Sequence, residues 1–405
     1  MKQTLKVATL LSLSTATLLA SGYRIPEQSL NSVAMSAAYV ASANGADASY
    51  YNPANMAFMA EGGYIETSLT YINLPKVDYT ASGGTPVGNS SGDSKEENFL
   101  LPNLHYVSPM VGNWRYGLSI VAPAGLSKRW DESYQMRSSE EFTLKVVEIN
   151  PTASYKVNDQ LALGFGLRGV YTTGVIKYQG VGGGFNYNNK MEADSIDYGY
   201  NLAFSYKPIE DLTFSATYRS KVNLTVDGDA KTTINGALLN GDVKTHIPLP
   251  ASLVLATAYT LDKTTLEFVF ERTYWSSYKD LDFDFENSAV EATPLGQSKL
   301  KNWKDANAYR IGISHQYSDA LKLMAGFAID KTPVPSSTMG FELPDSDAKI
   351  YSAGFEYALS KEMKMGLAYL YSDKEDRSVT NSAGVNGKFS DSAAHLVTAS
   401  LKYKF

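Results

Sequence analysis

The 405-residue sequence contains no cysteine, which removes disulfide frameworks, thiolate zinc sites, iron–sulfur clusters and cysteine nucleophiles together. Long hydrophobic runs are missing as well. Past the N-terminus no stretch of about 18 apolar residues occurs, and the mean hydropathy is -0.22, so the chain is no bundle of membrane helices. Concentrated positive charge is absent too. With 36 lysines and arginines against 42 acids, no basic face is available for phosphate backbones, and nucleic acid is not an expected partner. The four histidines, His105, His246, His315 and His395, lie far apart without metal-ligand spacing, and neither a metal nor another cofactor is expected. No serine sits in a nucleophile-elbow context, so the chain reads as a non-enzyme, with an outer-membrane esterase or phospholipase as the remote alternative.

What is present begins with an address. Lys2 and Lys6, the small and apolar run from Val7 to Leu19, and then Ala20, Ser21 and Gly22 have the three-part layout of a secretory signal peptide. The run is too short to anchor the chain in a bilayer. Residues 1–20 are therefore expected to be removed on export, with a cut after Gly22 fitting equally well.

The remainder alternates. Phe405, Tyr403, Leu401, Ala399 and Val397 fall on one parity, and Lys404, Lys402, Ser400 and Thr398 on the other. The same two-residue period recurs in Leu161 to Arg168, Leu212 to Arg219, Arg310 to Ser314 and Lys364 to Tyr369, as in strands with one apolar and one polar face. A pass along the chain gives strands near 63–72, 99–108, 113–126, 142–157, 160–178, 194–207, 211–228, 247–260, 263–280, 302–317, 320–331, 347–359, 361–373 and 392–405. Short turns such as Val157-Asn158-Asp159 and Leu261-Asp262-Lys263 alternate with long polar stretches such as 73–98, 229–246, 281–301 and 374–391. That asymmetry, an even strand number and tyrosines such as Tyr106, Tyr155, Tyr259, Tyr357 and Tyr403 near expected strand ends point to an outer-membrane barrel with aromatic girdles. A soluble β-sandwich has no need of the girdles. The expected fold is all-β: a transmembrane antiparallel β-barrel of about fourteen strands, spanning 63–405.

Residues 21–62 do not alternate, yet Ile25, Leu30, Val33, Met35, Tyr39, Met56 and Phe58 are too many apolar groups for a solvated tail. About fourteen strands enclose a lumen too wide for wall side chains to fill. An N-terminal hatch, or plug, folded into that lumen answers both observations.

Several motifs in this order carry a resemblance: Ser21-Gly22-Tyr23-Arg24-Ile25, Asn52-Pro53-Ala54, Tyr218-Arg219-Ser220-Lys221-Val222, Trp303 to Gly312, Gly326 to Pro335 and Leu343-Pro344-Asp345-Ser346-Asp347. Over essentially the whole mature chain they resemble the FadL/TodX family of outer-membrane hydrocarbon transporters. The resemblance implies a plugged fourteen-stranded barrel that takes up long-chain fatty acids or other hydrophobic molecules passively, gated by a hatch containing Asn52, Pro53 and Ala54. It also implies lateral release into the bilayer through a kink in the third strand, which maps to Val121-Ala122-Pro123-Ala124-Gly125-Leu126. Pro123 cannot donate to a ladder and Gly125 frees the backbone, so residue type alone favours a break at Pro123, Ala124 and Gly125. The sequence departs from the family in having Ala348-Lys349 where members often carry arginine, and no apolar loop insert beyond Ala237-Leu238-Leu239.

Ile25 and Leu30, with the cations Arg168, Arg219, Lys221 and Arg310 placed toward the lumen by alternation, are the candidate ligand contacts; pairing of these cations with lumenal acids such as Glu267, Glu271 or Glu356 in a structural network is the competing expectation. The expected partners are a fatty acid or hydrocarbon, the lipid bilayer and lipopolysaccharide, around a monomer. A general diffusion porin or a surface adhesin or receptor barrel is the competing expectation. Gly164-Phe165-Gly166-Leu167-Arg168-Gly169 matches a dinucleotide fingerprint in letters alone, because Val170 to Ile176 continues as strand and offers no helix N-terminus.

Overall fold

The computed structural model describes residues 22–83, 88–182 and 184–405; the expected signal peptide, residues 1–20, lies outside them. Fourteen antiparallel strands follow one another in chain order. They are β1 (Tyr64–Leu74), β2 (Glu97–Val107), β3 (Trp114–Arg129), β4 (Glu141–Lys156), β5 (Leu161–Gly182) and β6 (Phe185–Ile209). Two strands come in two segments each, β7 (Leu212–Arg219 and Val222–Ile234) and β8 (Gly241–Leu249 and Ser252–Leu261). Then come β9 (Thr264–Thr273), β10 (Ala306–Gln316), β11 (Leu321–Asp330), β12 (Ala348–Ala358), β13 (Met363–Lys374) and β14 (Ala393–Lys404). The last strand pairs with the first, from Tyr64↔Lys404 to Asn73↔His395, and the sheet closes without an edge. Gly63 and Phe405 complete that seam by exchanging backbone hydrogen bonds of 2.8 and 3.0 Å.

Strand positions agree with the alternation except above the membrane. Strand β6 begins at Phe185 instead of near 194, and β7 and β8 continue as a paired hairpin up to Ala230↔Gly241, through residues read as loop. There the outward positions Glu192, Asp194, Asp227, Asp229 and Lys244 face water. The ladder persists while the apolar-outward signal stops. Lower down, Leu163, Phe165, Leu167, Leu202, Phe204, Phe268 and Ile311 are exposed on the outer face, where lipid and no protein covers them. Tyr71, Tyr171, Tyr309 and Tyr351 rim this band toward the long loops, and Tyr116, Tyr206, Tyr259, Tyr357 and Tyr403 toward the short turns. Among the described residues no helix is long and apolar enough to cross a membrane.

The lumen is occupied by the N-terminal segment, in which α1 (Leu30–Ala34), α2 (Ala48–Tyr51) and a 3₁₀ turn (Pro53–Phe58) are buried almost throughout. Its fit depends on wall positions without side chains. A Cβ at Gly326 would lie 2.2 Å from the Met35 carbonyl carbon, and one at Gly164 would lie 2.5 Å from the Ala54 nitrogen. Plug backbone thus touches wall backbone, and the apparent fingerprint around Gly164 is a seat for the plug on an uninterrupted strand. Gly326→Ala should lower the stability of the detergent-solubilised barrel to urea by about 1–3 kcal/mol or more, as overpacking does. Gly83→Ala, where an added Cβ meets nothing within 4 Å, should leave the unfolding midpoint unchanged.

Candidate functional site

The plug is seated at two places. Helix α1, capped by the Ser29 hydroxyl, rests on β11 to β14; α2 and the 3₁₀ turn rest on β2 to β6. Asn52 and Pro53 start that turn, with proline at a position whose N–H has no helical partner. The Asn52 amide donates to Val40 O (3.2 Å) and to the wall hydroxyls of Ser205 (2.8 Å) and Ser215 (3.0 Å). Ala54 O accepts from the Ser154 hydroxyl at 3.0 Å. Asn55, which the sequence reading passed over, donates to the carbonyls of Val40, Ala41 and Ala43. Arg115 was passed over as well. Buried on β3, it donates to the carbonyls of Met56, Met59, Ala60 and Gly62 and so holds the chain where the plug leaves for β1. A repeated asparagine three residues on is a legible signal, whereas an arginine bonded only to carbonyls shows nothing in sequence.

The wall is interrupted beside the plug. Strand β3 pairs with β2 only over Gly117 to Ile120, while on its other side it stays with β4, with a shift in register between Val121 and Ala124. Where β2 is lost, the plug takes its place. Ile25 N donates to Pro123 O and Gly125 N to Tyr23 O, both at 2.9 Å, and the Gln28 side chain bonds both backbone groups of Ala122 at 2.9 and 3.0 Å. Above the interruption the wall is rejoined by Lys95 N to Arg129 O and by the Arg129–Glu97 ion pair. The Pro123-Ala124-Gly125 stretch is therefore a place where β3 bends onto the plug. Ile25 and Leu30 are both buried there and beyond, Leu30 against Gly366 of β13.

The candidate cations are already matched. Arg168 donates to Glu148 at 2.9 Å and to Ser220 O at 2.6 Å, Arg219 pairs with the other oxygen of Glu148, and its guanidinium lies 4.3 Å from the Tyr50 ring centre. Arg310 pairs with Glu271 (3.2 Å) and Asp330 (3.3 Å) and donates to Ser36 O of the plug. Arg24 reaches the same Glu271 at 2.5 Å. Lys221 departs from the alternation: β7 breaks between Arg219 and Val222, both Ser220 and Val222 are buried, and Lys221 is left exposed instead of facing the lumen. Glu27 is buried in the plug with neither carboxylate oxygen hydrogen-bonded, and burial pushes its carboxyl up to about 7 although Arg310 is near.

Above the plug the lumen presents a cluster of apolar side chains beside polar ones such as Ser298, Lys301, Asn302 and Glu342. Cavities of about 630 Å³ and about 400 Å³ share Tyr178 and Lys299. Phe142, Ile176, Leu281 and Phe283 line the first, Tyr134, Tyr187 and Phe341 the second. The Lys299 ammonium sits 5.0 Å from the Tyr178 ring centre and 6.0 Å from that of Phe283. No carboxylate among the described residues lies within salt-bridge distance of it, and Glu342, which pairs with Lys301, acts on it from further off. Burial and the neighbouring Lys301 hold its pKa below the ordinary lysine value. One contiguous apolar cluster runs from Phe142, Ile176 and Phe283 to Tyr23, Ala124 and Leu126 at the wall interruption. Sequence reading missed Lys299 because it lies in a long polar stretch, 281–301, with no alternation to orient it.

A plugged barrel with these features has known counterparts. The chain is 23% identical over 379 residues to a long-chain fatty acid transport protein of Escherichia coli O6:H1, covering 82% of each. Its fold matches a Pseudomonas aeruginosa FadL homologue with a TM-score of 0.85 at 18% identity, over 95% of this chain and all of that one. The Pseudomonas putida toluene transporter TodX aligns with a TM-score of 0.72 at 19% identity, over 93% of this chain and 99% of that one. The family model described as outer membrane protein transport protein (OMPP1/FadL/TodX) matches residues 11–405, and the chain belongs to that family.

Proposed function

We propose that the barrel carries hydrophobic small molecules, long-chain fatty acids or aromatic and aliphatic hydrocarbons, passively across the outer membrane. The relatives named for fatty acid and toluene transport support the substrate class. The observation that carries the reading is the apolar cluster that leads from a cavity above the plug to the stretch where β3 leaves β2 and bonds the plug instead. Each methylene buried gains about 0.8 kcal/mol, so successive apolar surfaces draw a chain inward, and cavities of 400 and 630 Å³ suit small ligands. A fatty acid carboxylate would meet Lys299, whose ammonium faces the Tyr178 and Phe283 rings with no carboxylate in salt-bridge contact. The arginines suit this less, because a ligand would first have to displace a desolvated internal carboxylate. Displacement of Tyr23 to Gln28 from β3 would then free the gap at Pro123, Ala124 and Gly125 for lateral release. We assign the barrel no catalysis and take it as a monomer, since its ladder closes on itself, with the outer band in the bilayer and the polar strand extensions among lipopolysaccharide head groups. A lumen filled from residue 22 to residue 58 argues against a general diffusion porin.

Three outcomes test this. Asn52→Ala with Pro53→Ala should leave a folded, heat-modifiable barrel that takes up labelled oleate and toluene more slowly than the parent, while parent liposomes swell hardly at all in sugars; equal uptake removes the gating role. Pro123→Val with Gly125→Val restores a donor and β-propensity to β3 and should cut uptake of both substrates with the barrel intact. Lys299→Gln should weaken oleate binding by roughly 10- to 100-fold, the worth of about 1.5–3 kcal/mol for a charged hydrogen bond, and leave toluene unaffected. An equal loss for both would move the carboxylate site elsewhere.

A further inference from the structure

The two ends of the plug rest on close backbone contacts with opposite walls, but the loop Ala41–Ala46 between them does not. Its hold is a single wall side chain. From β9, Glu267 accepts the N–H groups of Val40 (2.6 Å), Ala41 (2.7 Å) and Ser42 (3.0 Å) and the Ser42 hydroxyl. The carbonyls of the loop are tied within the plug itself, those of Ala41 and Ala43 to Asn55, that of Gly45 to Ala48 N and that of Ala46 to Ser49. Both faces of the loop border empty space. A cavity of about 540 Å³ lies against Ser42 and Asn44 to Ala46, with the turn residues Asp262 and Lys361 opposite. A second of about 150 Å³ lies against Ala41 to Asn44, opposite Phe58 and Asp211. Both cavities open at the short-turn end, which in a barrel of this class faces the periplasm. Ala41 and Ala43 are buried, Ala41 beside Ala256, Ala258 and Val269 of the wall, but a segment bordered by voids lacks the close backbone contacts that fix the two ends of the plug, and its freed N–H groups would find water at once.

The larger cavity is also charged unevenly. Lys263, Lys322, Lys361, Lys364, Lys402 and Lys404 line it against Asp262, Glu356 and Glu362, and Glu356 is already shared between Lys364 (3.0 Å) and Lys402 (2.7 Å). Lysine-lined passages favour anions.

We propose that Glu267 is the latch of a second way out of the lumen: Ala41–Ala46 is a door onto the periplasm, and its release opens a polar, anion-preferring path for small hydrophilic solutes, separate from the interruption at β3. The proposal goes beyond hydrophobic uptake and shares with it only the closed plug. Glu267 acts as a positioning residue, by bonds to backbone and not to solute.

The absence of native cysteine gives a clean background for the test. Parent, Glu267→Ala and Glu267→Gln barrels, each checked for heat-modifiable mobility, are recorded in planar bilayers under a KCl gradient. Each also carries Ala43→Cys, at a site buried in the closed loop, for maleimide labelling. The parent should stay closed and label slowly; Glu267→Ala should open at least tenfold more often, with a reversal potential toward that of chloride, and label at least tenfold faster. Glu267→Gln keeps the size and one acceptor and should fall between, which preserves the test if the alanine variant does not fold. Folded variants that stay closed and label like the parent overturn the latch, and a cation-selective opening overturns the anion path. A parent that already conducts would instead remove the closed plug on which both readings rest.

Discussion

Inside hydrocarbon no water is available to bond an N–H or C=O group, so a wall of strands has to be paired all the way round, and a strand that leaves its neighbour has to find another partner. Strand β3 leaves β2 after Ile120 and finds the plug. Residues Tyr23 to Gln28 act there as a short substitute strand, with the Gln28 amide bonding both backbone groups of Ala122. Because wall and plug share one hydrogen-bond ladder at this point, a movement of the plug would change the wall, and the proposed gating and lateral release would be one structural event.

Where the plug touches the barrel, charged groups are gathered into networks: the plug's Arg24 shares Glu271 with Arg310 of the wall, and beside Tyr50 the wall's Glu148 bridges Arg168 and Arg219. Pairs this buried add little net stability, but removing one partner is expensive. They therefore fix the plug in one register more than they strengthen it. The apolar region lies above, toward the long loops, where the inward faces of β4, β5, β7 and β8 carry Phe142, Ile176, Leu224 and Ile247. The lumen is thus divided by chemistry into an upper chamber that carries these apolar side chains, a hydrogen-bonded partition and a wet, lysine-lined lower one.

Much of this was legible in the residues. Alternation placed all fourteen strands because each is apolar toward lipid and polar toward the lumen, a pattern local enough to read. It failed at Phe185 to Ala193 and in the upper halves of β7 and β8, where both faces are specified by something other than lipid, and it overran at 274–280, where β9 ends at Thr273 and Trp275–Ser277 is a 3₁₀ turn. Pro123 and Gly125 announced the interruption, but that Tyr23 and Ile25 would pair there could not be read, since about a hundred residues separate the partners. The inward position of Arg168 and Arg310 was readable from parity; their pairing with Glu148 and Glu271 depends on which strands become neighbours across the lumen. Lys221 was misplaced because a break in β7 shifts the parity by one. Glu267 looked like any inward acid until a backbone loop was found against it.

The seam between Gly63 and Phe405 carries a consequence for how such a chain can fold. The plug is tied into the ladder at both of its ends, through Tyr23 and Ile25 to β3 and through Gly63 to the final residue. The bond at the second end joins residues as far apart in sequence as the barrel allows, so its loop closure falls late. Closure at Gly63 therefore fixes the segment between within the curve of strands. The stopper is built in as the vessel closes around it.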